Sequence, residues 1–195
     1  MQIGILAIDI ESTGPHIIRN EMISLGYCLG DEHGNTIVKK RINFKLDKKK
    51  KFDKICKEQF WNKHLDKLEI LKKDAKDPKY AIHEFVSDVD KMYEKYDLKI
   101  ITDNPSFDLY FINFYMATYL DRKPLNYNGL LYNAVHDTDS YARGVEKCTY
   151  DKSLYDSELI KKYNITIDAI HDHLPDNDAE LIYKLHIALI NKVAS

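Results

Sequence analysis

The segment Ile3-Gly-Ile-Leu-Ala-Ile-Asp-Ile10 constrains this chain more than any other stretch. It is a nearly unbroken apolar run, short for a helix and closed by Ser12-Thr-Gly-Pro15, which predicts a β-strand buried on both faces. Such a strand belongs in the middle of a sheet. Its far end changes character, because Asp9 and Glu11 stand two residues apart. The two-residue repeat of a strand points both carboxylates to one face, at an edge of the sheet.

The rest of the chain supplies neighbours for that strand. Glu21 to Leu29 and Thr36 to Phe44 are apolar and β-branched, and the turn-forming stretch Gly30-Asp-Glu-His-Gly34-Asn between them predicts a hairpin or meander. Lys45 to Lys57 is lysine-rich and predicts a solvated loop, with phosphate attraction by Lys48 to Lys51 as the alternative. Pro78 to Tyr96 carries Ile82, Phe85, Val86, Val89 and Met92 at helical spacing, with its Pro in the first turn. Leu98 to Thr102 reads as a short buried strand, Asp103 to Ser106 as a turn and Phe107 to Leu120 as a helix. Asp156 to Tyr163 looks helical, a polar loop holds His171 and His173, and Asp178 to Val193 forms a closing helix. The pattern is mixed α/β without repeats, and 195 residues suit one domain.

Charge and cysteines narrow the setting. With 29 basic and 31 acidic side chains the formal charge is −2, so a nucleic-acid partner would be held by a local basic patch rather than a global field. Cys28, Cys56 and Cys148 form no C-x-x-C pair, so neither a disulfide framework nor a cysteine zinc site is expected, and a reducing, intracellular compartment is. The run Ile3 to Ile8 is too short for a signal peptide and lacks a basic flank, and no membrane span is expected.

Two further acids stand on apolar helix faces. Asp108 is followed by Phe111, Ile112 and Tyr115, and Asp178 by Leu181, Ile182 and Leu185. An acid there needs compensation; helix capping is the ordinary explanation. If Asp9, Glu11, Asp108 and Asp178 converge, each pair at about 4 Å repels by about 4 kcal/mol at an effective dielectric near 20. Divalent cations remove that repulsion, and ligation by carboxylates alone selects Mg²⁺ or Mn²⁺ over zinc. Two such ions about 3.5–4 Å apart clamp the attacking and leaving oxygens of a phosphodiester, which points to phosphoryl chemistry.

Three ordered motifs resemble the DEDDh 3′–5′ exonucleases of the ribonuclease H-like superfamily. Ile8-Asp9-Ile10-Glu11-Ser12-Thr13-Gly14 is similar to the family's D-x-E-T-T-G strand end, with Ser12 in place of one threonine. Asp103-Asn104-Pro-Ser-Phe107-Asp108 resembles its H-N-x-x-F-D turn, with Asp103 in place of His. His173-Leu-Pro-Asp-Asn-Asp178-Ala has the H-x-x-x-x-D-A spacing of the histidine subgroup. Asp137-Thr-Asp-Ser-Tyr-Ala-Arg143 is similar to a D-T-x-x-x-A-R segment of the family and reads as structural, while Phe52 to Trp61 matches nothing in it.

The resemblance implies a ribonuclease H-like fold, a central mixed sheet flanked by helices. It implies that Asp9, Glu11, Asp108 and Asp178 ligate two divalent ions, Mg²⁺ or Mn²⁺, and that His173 is the general base, with His171 its nearest competitor. A histidine suits the task because its ordinary pKa, about 6.5, lies near neutrality. The implied partner is single-stranded DNA or RNA with a free 3′ end, shortened one nucleoside 5′-monophosphate at a time. Ser12, Thr13, Asn104 and Phe107 are its candidate contacts, with Ile17 and Ile18 as further stacking candidates. Two alternatives stand beside this one. The chain could be an inactive nucleic-acid-binding or interaction module on the same fold. It could also be an aspartyl phosphatase with Asp9 as nucleophile, a reading that requires a late strand ending in Gly-Asp.

Overall fold

A computed structural model of the chain describes residues 1–125, 127–128, 131–132, 134–147, 157–166 and 171–194. Its strands are β1 (Gln2–Ser12), β2 (Met22–Gly30), β3 (Thr36–Asn43), β4 (Tyr96–Thr102), β5 (Tyr127–Asn128), β6 (Leu131–Tyr132) and β7 (Val135–Asp137). The helices are α1 (Lys54–Gln59), α2 (Leu65–Lys72), α3 (Pro78–Lys95), α4 (Pro105–Leu120), α5 (Thr138–Glu146), α6 (Ser157–Lys162) and α7 (Pro175–Ala194). β1 is central, as its apolar run predicts, in a sheet of order β3-β2-β1-β4-β7. β1, β2 and β3 form the predicted antiparallel meander; β4 runs parallel to β1, and β7 parallel to β4. β5 and β6 pair separately as a short ribbon.

Side chains of β1 divide by the two-residue repeat. Leu6, Ile8 and Ile10 pack with Phe85 and Val89 of α3 and Phe111 and Ile112 of α4. Ile5 and Ala7 pack on the opposite face with Ile182, Leu185 and Leu189 of α7 and Ala142 of α5. Asp9 and Glu11 continue this second alternation, so the helix covering their face is α7.

α7 lies close to the sheet because β2 gives it room. Gly26, Cys28 and Gly30 occupy alternate positions of β2. A Cβ at Gly26 would stand 2.0 Å from the carbonyl carbon of Pro175, and one at Gly30 1.9 Å from the Tyr183 ring. Only hydrogen fits at either place. The Tyr183 hydroxyl then donates to the carbonyl of Asp31 at 2.7 Å. Edge strand β3 adds alternating ion pairs: Lys39 to Glu180 (2.8 Å) and Arg41 to Asp176 (3.1 Å) on α7, and Lys40 to Asp88 (2.6 Å) on α3.

The structure corrects the sequence reading at several places. The loop after β3, with Lys48 to Lys51 exposed in it, ends at Asp53 and not Lys57, where the Asp53 carboxylate accepts the Cys56 N–H (2.9 Å) and starts α1. A 3-10 turn at Trp61–Lys63 and then α2 follow, both unpredicted, and Trp61, Leu68 and Leu71 bury against Ile23. Ile17 is a core residue and not a stacking surface, whereas Ile18 is exposed. Asp137 caps α5 by accepting the Ser140 N–H at 2.9 Å. Cys148 and Asp156 lie outside the described residues. Among the described residues no helix is long and apolar enough to cross a membrane.

Candidate active site

Four segments meet at one end of the sheet: the end of β1, the turn from β4 into α4, the loop at residues 171–174 and the first turns of α7. The parallel register of β1 and β4 sets the first contact. Ala7 is opposite Ile101, and two residues beyond that last pair stand Asp9 and Asp103. Asp9, Glu11 and Asp178 present carboxylate oxygens within 4.8 Å of one another, and so do Asp9, Asp103 and Asp108. All four predicted acids are therefore gathered, and a fifth, Asp103, joins them.

Neither helical acid is a cap. Asp108 and Asp178 are the fourth residues of α4 and α7, and their own N–H groups donate to the carbonyls of Asn104 (3.0 Å) and Leu174 (3.1 Å), as inside a helix. Both are buried, 1% and 2% exposed. The Thr102 hydroxyl hydrogen-bonds the Asp108 carboxylate. Oδ1 of Asp178 is buried without a hydrogen-bond partner, a costly arrangement for a carboxylate.

The electrostatics follow from this crowding. Burial first, and then Asp108, Asp103, Asp178 and Glu11, push the Asp9 carboxyl well above the ordinary range. Burial followed by Asp178, Asp108 and Asp103 does the same to Glu11. Asp108 is raised by burial and by Asp103, against the Thr102 hydroxyl and two backbone N–H groups. Burial, Asp172 and Asp103 lift Asp178 to about 7. Five acids with hard oxygen donors and one unpartnered buried oxygen fit a divalent cation of the Mg²⁺ or Mn²⁺ kind.

His173 stands over this cluster from a left-handed backbone position, φ 59°. Its Nδ1 is 3.8 Å from Glu11 Oε1, and its ring meets Phe60, His64 and His171 edge-on at 4.7, 4.5 and 4.4 Å between centroids. Burial, with His171 and His64 adding to it, lowers its pKa to about 4, so the ring is neutral at pH 7. His171, also left-handed at φ 46°, places Nδ1 3.8 Å from Asp178 Oδ1.

Beside Glu11 opens a cleft of about 280 Å³, lined by Ser12, Pro15, Cys56, Phe60 and Phe107. Ser12 donates its hydroxyl to the Gly14 carbonyl at 2.8 Å, and its own carbonyl accepts the Trp61 indole N–H at 2.9 Å. That indole bond ties the 3-10 turn after α1 to the end of β1, beside the cleft. Thr13 departs from expectation: it is buried, it is absent from this lining, and its hydroxyl accepts the Glu21 N–H at 2.8 Å. Asn104 is exposed where α4 begins, and its side-chain oxygen accepts the Ser106 hydroxyl at 2.9 Å. Sequence reading missed Phe60, Cys56, His64 and the place of Asp103. The signal available for Asp103 was the parallel register with Asp9.

No family model matches this sequence, and no curated protein matches it. Solved structures do match. The nuclease domain of 3′hExo, a DEDDh family member, bound to rAMP, superposes with a TM-score of 0.69 at 16% identity, over 98% of this chain and 93% of that one. The Mg²⁺- and Mn²⁺-bound form of S. pombe Pop2p gives 0.66 at 14% identity, over 94% and 81%. E. coli exonuclease I in complex with a 5cy-dT13 oligonucleotide gives 0.65 at 14%, over all of this chain and 41% of that one. The fold is thus the ribonuclease H-like fold of the DEDDh 3′ exonucleases. In this chain His173 stands five residues before Asp178, and an aspartate, Asp103, stands five residues before Asp108.

Proposed function

We propose that this protein is a metal-dependent 3′–5′ exonuclease that removes nucleoside 5′-monophosphates from the 3′ end of single-stranded DNA or RNA. The observation that carries this reading is the meeting of Asp9, Glu11, Asp108 and Asp178, with His173 3.8 Å from Glu11, at one end of the sheet. The solved structures of the same fold that hold rAMP, Mg²⁺ and Mn²⁺, or an oligonucleotide support it by analogy.

Asp9, Glu11, Asp108 and Asp178 would hold two divalent cations. When bound, such cations offset the repulsion among the acids and act as Lewis acids at the phosphate. His173, neutral at pH 7, accepts the proton of the attacking water. The bond that breaks joins the terminal phosphorus to the 3′-oxygen of the penultimate nucleotide, so the phosphate leaves with the terminal nucleoside. Phe60 and Phe107 flank a cleft suited to an unstacked terminal base, which favours single-stranded ends. Ser12 shapes that cleft through its bond to Gly14, and Asn104 lies at the exposed entrance to α4.

The test is digestion of 5′-labelled single-stranded DNA and RNA with Mg²⁺, Mn²⁺ or EDTA, with Asp108→Ala alongside. A metal-dependent ladder shortening from the 3′ end, absent in the variant, is expected. A folded protein that cleaves neither substrate in either metal would overturn the reading and favour the binding module.

A further inference from the structure

We infer that His171, His173 and Asp178 form a second, nitrogen-containing metal site that takes a transition-metal ion of the zinc class and, when filled, blocks the proposed hydrolysis. One ring nitrogen from each histidine and a carboxylate oxygen of Asp178 lie within 4.8 Å of one another. Two ligands on a tetrahedral zinc stand about 3.3 Å apart, given bonds of about 2.0–2.1 Å. The 3.8 Å from His171 Nδ1 to Asp178 Oδ1 closes to that by a small side-chain shift.

Asp178 Oδ1, the buried and unpartnered oxygen that also borders the carboxylate group, lies 3.8 Å from the His171 imidazole and so can serve either ion. The donor set then decides the class. Imidazole suits zinc and its neighbours, whereas Mg²⁺ prefers oxygen throughout. Asp172 does not compete for the role, because its carboxylate accepts the N–H of Leu174 and the amide of Asn177 and so braces the loop. Three protein ligands leave a fourth position open to water.

Blocking follows from shared parts, and this half of the inference rests on the exonuclease reading. Asp178 belongs to both the all-carboxylate group and this one. An ion held by the histidines would take the lone pair with which His173 accepts a proton and would draw Asp178 away from Asp9 and Glu11.

The experiment uses the full chain, stripped of metal. Co²⁺ is titrated first, with visible absorption as the readout, and Zn²⁺ is then used to displace it. His171→Asn is compared because asparagine tolerates the left-handed backbone at that position. Visible Co²⁺ bands that Zn²⁺ displaces, and that are weakened in His171→Asn, are expected for the wild type. Zinc affinity should fall about 100-fold in the variant, the upper end of what even an outer-shell change costs. The midpoint of zinc inhibition, normalised to each protein's own rate in Mg²⁺, should rise by the same factor. A folded variant that binds zinc as tightly as the wild type, or a wild type that binds none, overturns the site. Because zinc binding is read without substrate, absence of hydrolysis overturns only the exonuclease reading, while hydrolysis with unchanged zinc affinity overturns only the metal site.

Discussion

Asp103 adds a fifth negative charge to a group of four, and its effect on its neighbours is directional. It helps to raise the carboxyls of Asp9, Glu11, Asp108 and Asp178. A carboxyl raised in the folded state contributes stability below its unfolded pKa and loses it as pH rises through the folded one. For Asp178 that window runs from 3.8 to about 7. In EDTA, Asp103→Asn should therefore melt higher than the wild type above about pH 7, by about 1–3 kcal/mol at an effective dielectric near 20, and the gap should close toward pH 4. Thermal melts across that range check it, and a variant less stable at pH 8 would count against it. Asp9→Ala should lower hydrolysis by at least about 10³-fold with the fold intact, read as rate beside circular dichroism. His173→Ala should lower turnover by about 10²–10⁴-fold while Mg²⁺ still binds. Asp9, Glu11, Asp108, Asp178 and His173 were legible in the sequence because motif spacing and apolar helix faces mark them. Asp103 was passed over as a departure from a motif, since its meaning lies in a strand pairing that no local pattern displays.

At the scale of elements, the placement of Asp178 depends on the small residues of β2. Gly26 pairs with Asp9 across the ladder and touches the start of α7. Gly26→Ala should push that start outward and lower activity by about 10²-fold or more, as small misplacements at reacting centres do; wild-type rates would contradict the account. α7 also carries His186, buried against α5, where its Nδ1 meets the Thr138 hydroxyl at 3.1 Å. Burial, with His136 adding to it, lowers its pKa from 6.5 to about 4. The stability it contributes is present above pH 6.5 and lost as pH falls through about 4, up to about 3 kcal/mol. The drop in Tm between about pH 7.5 and 5 should accordingly shrink in His186→Leu. The long elements were readable because α3, α4 and α7 carry sustained apolar stripes and β1 is nearly all apolar. α1 and α2 were not, because they span only six and eight residues; α2 is held by Leu68 and Leu71 packing with Trp61 on Ile23, and α1 buries no residue of its own.

For the molecule as a whole, the acid cluster is a destabilising feature that a bound cation would relieve. Mg²⁺ at about 100 times its Kd should stabilise the fold by about 2.7 kcal/mol, a rise of about 5–11 °C in Tm for a chain of this size. Asp9→Ala should show a smaller rise, and equal rises in both would separate the cation from the cluster. Asp9 and Asp178 sit nearly the length of the chain apart in sequence, and the seating of α7 on Gly26 and Gly30 is what joins them. A chain with α7 undocked keeps Asp9, Glu11, Asp103 and Asp108 but lacks the acid and both loop histidines brought by the C-terminal segment. That contact joins segments far apart in sequence and so has a high contact order, which makes the complete cluster a property of the fully assembled fold and of no shorter stretch of chain.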